Sequence, residues 1–159
     1  MLYIICGNPL EWNQTYDILD EKAVRRYFLE TIRKGNLNHE VNLTRSDRLR
    51  KTVYSAADKK KFFPYFEVLS GKEPLGVIRV KFGFRKPKYE ILSADWSLEG
   101  DPQKGNFALL HKGVRAAEVT SYNSAGTLRY RCEVLNSDDP ERELMLCALL
   151  LMLSDLDNY

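Results

Sequence analysis

Basic residues in and beside one strand-like segment are the best candidates for chemistry in this sequence. Polar and apolar residues alternate through Val77–Phe84, so Arg79 and Lys81 belong to one face of a strand and the phenylalanines to the other. More basic residues follow in the next turn and precede a neighbouring strand. Together they form the candidate set Lys59, Lys60, Lys61, Arg79, Lys81, Arg85, Lys86 and Lys88.

Such a cationic set predicts binding to anionic phospholipid or phosphoinositide head groups. Each Lys or Arg close to an anionic bilayer contributes about 1 kcal/mol of attraction, so five or six give useful but salt-sensitive binding. A second interpretation stays open, because strand edges carry lysines to deter aggregation and outward polar faces are often simply solvated.

A calcium loop is the next pattern to consider. The segment Asp95–Asp101 has oxygen-bearing side chains at positions one, three and five and glycine at six, like the beginning of an EF-hand loop. Asn106 stands where that loop needs a bidentate glutamate. A strand with Trp96 and Leu98 facing inward fits the segment better, and we expect no bound metal.

Catalytic patterns are weak. The two histidines, His39 and His111, lie in turn or strand-end contexts, and the sequence has no nucleophile elbow, no Cys/His signature and no phosphate-binding glycine loop. We therefore expect a non-enzymatic protein without a cofactor. Groups that are distant in sequence can still assemble an active site, so this expectation rests on local motifs alone.

The elements that must position these residues are mostly strands. An aromatic residue followed by an aliphatic pair recurs before turn-forming residues, which is typical of strands joined in hairpins. This pattern occurs at Tyr16–Leu19, Phe66–Leu69, Tyr89–Leu92 and Phe107–Leu110, with a near-relative at Tyr130–Leu135. The segment Asp20–Ile32 suits a short helix or a strand, and we favour a strand because its neighbours are strands.

The end of the chain predicts one buried helix over about residues 140–156. Leu144–Leu153 contains no polar residue, so no face of the helix suits water. Ten helical residues rise roughly 15 Å, about half of a bilayer's ~30 Å core, which favours a protein interior. Asp139 is a candidate N-cap, and Pro140 suits the first helical position.

Composition fits one domain over residues 1–159. The chain has 159 residues, of which 44% are hydrophobic and 29% charged, as in ordinary globular proteins. Three cysteines without metal-like spacing and the lack of an evident signal sequence predict a cytoplasmic protein. The pI near 8.4 is lower than is typical of nucleic-acid-binding domains.

Several motifs resemble the tubby C-terminal-like superfamily, and within it the LURP-one-related branch, which includes many small bacterial proteins. They are Lys86–Leu92, the Trp-x-x-x-Gly-Asp pattern in Asp95–Asp101, Asn106 with Phe107, and the hairpin Leu110–Val114. The leucine-rich helix from Leu144 and Asp155 also match the family in type and place. The resemblance covers roughly residues 62–157.

This resemblance implies a closed antiparallel β-barrel of about twelve strands around a central hydrophobic C-terminal α-helix. Tubby proteins bind phosphoinositides and the related scramblases respond to calcium, so it also implies a lipid-binding module that lies peripherally on a membrane. The alternatives are a protein–protein adaptor or structural protein and, third, a nucleic-acid-associated regulator.

Overall fold

A computed structural model describes residues 1–8, 15–34, 38–49, 51–58, 65–70, 73–82, 87–92, 95–135 and 137–156. Within these ranges it contains twelve strands and one α-helix. The strands are β1 (Leu2–Asn8), β2 (Thr15–Leu19), β3 (Arg25–Lys34), β4 (Asn38–Arg45), β5 (Thr52–Asp58), β6 (Tyr65–Ser70), β7 (Glu73–Phe82), β8 (Pro87–Leu92), β9 (Trp96–Asp101), β10 (Asn106–His111), β11 (Val114–Ser124) and β12 (Thr127–Val134). A 3₁₀ turn spans Pro102–Lys104, and the helix α1 spans Pro140–Leu156.

All twelve strands form one antiparallel sheet, which confirms the mainly β prediction. The order across the sheet is β8-β7-β6-β5-β4-β3-β2-β1-β12-β11-β10-β9, so the first and last strands of the chain, β1 and β12, lie side by side. Two hairpins turn through pairs of residues with positive φ, Lys112-Gly113 and Ala125-Gly126. That backbone conformation matches the twist of the strands it joins.

The described residues do not close this sheet into a barrel. No ladder joins β8 to β9 within the described ranges, which leaves these two strands as the edges. They are nevertheless neighbours, because β8 ends at Leu92 and β9 begins at Trp96. The structure therefore shows a large antiparallel sheet with one helix packed on it.

The helix α1 forms the centre of the core. Its residues Leu144–Met152 are at most 1% exposed. The backbone N–H of Arg142 is bonded to Asp139, whose carboxylate accepts it at 3.3 Å, so Asp139 is the N-cap. The helix contacts β5 on one side and β11 and β12 on the other, so the sheet curves around it. No helix in the described part of the chain is long and apolar enough to cross a membrane.

The inward faces of the strands follow the alternation expected from the sequence. Ile5, Ile18 and Leu29 are fully buried, whereas their neighbours along each strand are partly exposed. Strand β10 departs from this alternation, because Ala108, Leu109 and Leu110 are all buried. The predicted strand in Asp20–Ile32 is confirmed from Arg25 onward, after a turn at residues 20–24.

The antiparallel order gives the sheet two ends. The helix-start end is where Leu19, Arg45, His111 and Val134 terminate their strands and where α1 begins. The far end holds the opposite ends of the same strands and the 3₁₀ turn, which α1 also contacts. The helix therefore extends along the inner face of the sheet from the helix-start end to the far end.

The segment Asp95–Asp101 is a strand, as favoured over a calcium loop. Trp96 is buried and Leu98 packs on the core, while Ser97 and Glu99 are exposed.

Candidate functional site

Three members of the predicted basic set lie in described strands, Arg79 and Lys81 in β7 and Lys88 in β8. The β7–β8 register pairs Lys81 with Lys88 and Arg79 with Glu90. Ile91, next along β8, packs on the core and pairs with Ile78. Because directly paired residues share a face, the positions of Arg79, Lys81 and Lys88 belong to the outward face.

The other five members, Lys59, Lys60, Lys61, Arg85 and Lys86, lie outside the described residues. The strands on either side of them are described. Strand β5 ends at Asp58 and β6 begins at Tyr65, while β7 ends at Phe82 and β8 begins at Pro87. All four positions are at the far end of the sheet, so the two connections that carry these basic residues join their strands at the same end.

The register places two lysines, Lys81 and Lys88, at directly opposite positions of β7 and β8. Like charges directly opposite each other on neighbouring strands destabilise an antiparallel pair by a few tenths of a kcal/mol, roughly up to 1 kcal/mol. Arg79, in contrast, has an acidic residue opposite it in Glu90. The register thus leaves one cross-strand lysine pair without an opposite charge at the paired position.

A second polar cluster lies at the helix-start end, where inward-facing side chains hold the first turn of α1. Arg45 donates two hydrogen bonds to the Glu141 carboxylate, from Nε at 2.9 Å and from Nη2 at 2.5 Å. The Tyr54 hydroxyl donates to the Asp139 carboxylate. Burial raises the pKa of Tyr27, and the neighbouring Glu141 carboxylate raises it further.

Arg142 connects the same helical turn to the other edge of the sheet. Its guanidinium lies 5.0 Å from the centre of the Trp96 ring, and that ring stacks on His111 at 4.2 Å. Nη2 of Arg142 also binds the carboxylates of Asp138 and Glu143, at 3.0 and 2.9 Å. This guanidinium hydrogen bond lowers the pKa of Asp138. These contacts anchor the helix and leave Arg142 largely buried.

A cleft of about 630 Å³ opens beside the Arg45–Glu141 pair. Tyr3 and Tyr27 meet there edge to face at 6.1 Å. The charges that line it have both signs, and Asp20 is bound by Arg26 at 2.7 Å. The charged lining residues are Asp20, Glu21, Lys22, Arg25, Arg26, Arg45 and Asp47. Because these charges nearly balance, the cleft has no strong preference for an anion or a cation.

The contacts at the helix-start end have no counterpart in the sequence patterns. Arg45 and Glu141 are 96 residues apart and Tyr54 and Asp139 are 85 apart. The sequence signals these contacts only by the presence of Arg45 and Tyr54, a charged and a phenolic residue, at inward-facing positions near a strand end. That signal identifies a buried polar contact but not its partner.

The chain matches no protein-family model, and neither a curated protein nor a solved structure matches it.

Proposed function

We propose that this protein is a non-enzymatic module that binds anionic phospholipid or phosphoinositide head groups through the outward face of β7 and β8. The observation that carries the proposal is the register of Lys81 opposite Lys88 at the far end of the sheet. An anionic head group between the two positions would relieve their repulsion. Arg79 lies on the same face, and the connections with Lys59–Lys61, Arg85 and Lys86 join their strands at that end.

The register allows stability and binding to be separated. The single change Lys81→Glu places a carboxylate opposite Lys88, so the fold should gain about 0.5 kcal/mol. The same change should weaken binding to anionic vesicles. If the lysines only protect the edge strand β8 from aggregation, the gain in stability stays and vesicle binding does not change.

Co-sedimentation with vesicles tests the proposal directly. Vesicles that contain phosphatidylserine or a phosphoinositide should pellet the protein, and vesicles of phosphatidylcholine alone should not. Binding should fall as salt is raised, because the attraction is screened beyond about 10 Å at 0.1 M salt. Equal pelleting by both vesicle types overturns the proposal, and so does binding that salt leaves unchanged.

We also infer that β8 and β9 complete a tubby-like barrel around α1, in keeping with the resemblance to the LURP-one-related branch. Support comes from the short separation of Leu92 and Trp96 and from the contacts of α1 with β5, β11 and β12. Hydrogen exchange monitored by NMR tests this closure. Slow exchange of every amide in β9 supports it, whereas fast exchange of alternate amides identifies an open edge.

A protein–protein adaptor is the second candidate. Three of the large apolar side chains that are exposed lie at the helix-start end, with exposures of 46% for Val24 and 85% for Leu49, both between strands, and 70% for Val114, at the start of β11. Exposed apolar side chains that project from one end of a domain fit a protein partner. A stoichiometric partner that binds without lipid and is lost in a Leu49→Ser, Val114→Ser variant would favour this function.

A further inference from the structure

The outward face of β1 is apolar, unlike the outward face of its neighbour β12. Tyr3 and Ile5 of β1 face the core, so Leu2, Ile4 and Cys6 face outward, and all three are partly exposed. Leu19 of β2 pairs with Ile4 and extends the same face. These four residues, Leu2, Ile4, Cys6 and Leu19, form the outer stripe.

The outer stripe breaks the usual pattern of an antiparallel sheet. When one face of a sheet is solvated, polar outward residues alternate with apolar inward residues along each strand. A strand with apolar residues on both faces indicates that both faces are covered. On the adjacent strand β12 the outward positions are Arg129, Arg131 and Glu133. On this side the stripe therefore ends at β12.

The flanks of the outer stripe carry opposite charges. On the β12 side, Arg129 pairs with Cys6 and Arg131 pairs with Ile4. Within the described residues, the Nε atom of Arg129 is buried without a hydrogen-bond partner. On the β2 side, Asp17 pairs with Cys6, and its side chain is 46% exposed while it contacts Arg25 at 3.3 Å.

We propose that the outer stripe binds a second copy of this chain. A twofold axis parallel to β1 places the β12 flank of each copy over the β2 flank of the other, so Arg129 of one copy faces Asp17 of the other twice. The apolar stripes then cover each other. An anionic membrane surface fits less well, because it would lie against the carboxylates of Asp17 and Glu133.

The dimer is weak. The outer stripe spans two strands and about five residues, roughly 10 by 15 Å at the usual strand spacing and rise. Stable interfaces bury about 800 Å² per partner, which is several times the area of this patch. We therefore expect a dimer that is populated only at high protein concentration.

Sedimentation equilibrium measures this association. The wild-type protein should change from monomer to dimer as its concentration rises toward about 1 mM, the range of weak complexes. Ile4→Lys should raise the dissociation constant at least tenfold. Leu49→Lys, which changes an 85% exposed side chain in a turn, is the matched control and should leave it unchanged. A monomer at every concentration, or equal dimerisation of the Ile4→Lys variant, overturns the proposal.

Charge exchange separates an interface from a structural role. Arg129→Asp and Asp17→Lys should each weaken the homodimer, because like charges then face each other across the axis. A mixture of the two variants should form a heterodimer, since each altered residue meets its opposite charge on the other chain. Repulsion within one chain cannot be rescued by mixing, so failure of the mixture to associate contradicts this geometry. Vesicle binding by the Ile4→Lys variant should equal that of wild type, so this test does not depend on the lipid proposal.

Discussion

Arg45 and Glu141 join the end of β4 to the first turn of α1 through two hydrogen bonds of 2.9 and 2.5 Å. Both donors come from one guanidinium and both oxygens of the carboxylate accept, which is the strongest geometry for such a pair. The pair lies 96 residues apart in sequence and fixes where the apolar helix enters the curved sheet. Hydrogen bonding to Glu141 raises the pKa of Arg45.

A double-mutant cycle on Arg45→Met and Glu141→Gln should give a coupling free energy of about 1 kcal/mol, measured by urea unfolding. The value is modest because the side chain of Arg45 is 40% exposed and solvent screens the pair. The control is a cycle on Arg25 and Asp17, whose side chains are 50% and 46% exposed. That cycle should give a smaller coupling, and an equal coupling would contradict a special role for the helix contact.

Stability should fall at alkaline pH through Tyr27. Burial raises its pKa above the usual 10.0, so the folded state retains the phenolic proton after the unfolded state has lost it. The contribution is complete below about pH 10 and is lost progressively as pH rises further. Tyr27→Phe should therefore lose less unfolding free energy than wild type between pH 9 and pH 11.

The alkaline effect of Tyr27→Phe will be partial, because burial also raises the pKa of the adjacent Tyr3. Identical curves for wild type and Tyr27→Phe would remove Tyr27 as the source of the alkaline loss.

Alanine substitutions at two glycines with positive φ distinguish the effect of backbone strain from that of steric clash. Gly105 has φ +68° and Gly113 has φ +78°, so an alanine at either is strained by about 1–2 kcal/mol. A Cβ atom at Gly105 would lie 2.6 Å from the buried Tyr130 ring, and one at Gly113 would meet nothing within 4 Å. Gly105→Ala should therefore lower the melting temperature more than Gly113→Ala, and equal losses would show that Tyr130 moves freely.

Leu149→Arg should abolish folding. Leu149 is fully buried in the middle of α1. Burying an unpaired charge there costs about 5 kcal/mol or more, which is as large as the whole free energy of unfolding of many small domains. Val114→Arg, at a position that is 70% exposed, should fold normally. Circular dichroism of the two variants decides the matter. A folded Leu149→Arg protein would refute the buried position of the helix.

The strands and the helix follow from the sequence because their signals are local. The run of apolar residues from Leu144 predicts burial, and Asp139 with Pro140 predicts where the helix begins. The contacts of Arg45, Tyr54 and Arg142 with the helix depend on strands brought together from distant parts of the chain. No local periodicity in the sequence encodes contacts between such distant residues, so the cluster at the helix-start end is apparent only from the three-dimensional structure.

The basic set likewise combines features that local patterns predict with features that they do not. Alternation in β7 predicts that Arg79 and Lys81 share a face, and this holds in the register. The position of Lys88 opposite Lys81 depends on the length of the hairpin between them, and pattern alone does not fix that length.

Vesicle partitioning of two charge-matched double variants tests the proposed function most directly. Lys81→Glu with Lys88→Glu alters the outward face of β7 and β8, while Arg48→Glu with Lys51→Glu makes the same change in net charge at exposed positions of the helix-start end. At about 1 kcal/mol per charge, the first variant should lose at least about a hundredfold in partitioning onto phosphatidylserine vesicles. The second variant should bind nearly as wild type does. Equal losses in the two variants would show that net charge alone attracts the protein, and the assignment of binding to the β7–β8 face would be wrong.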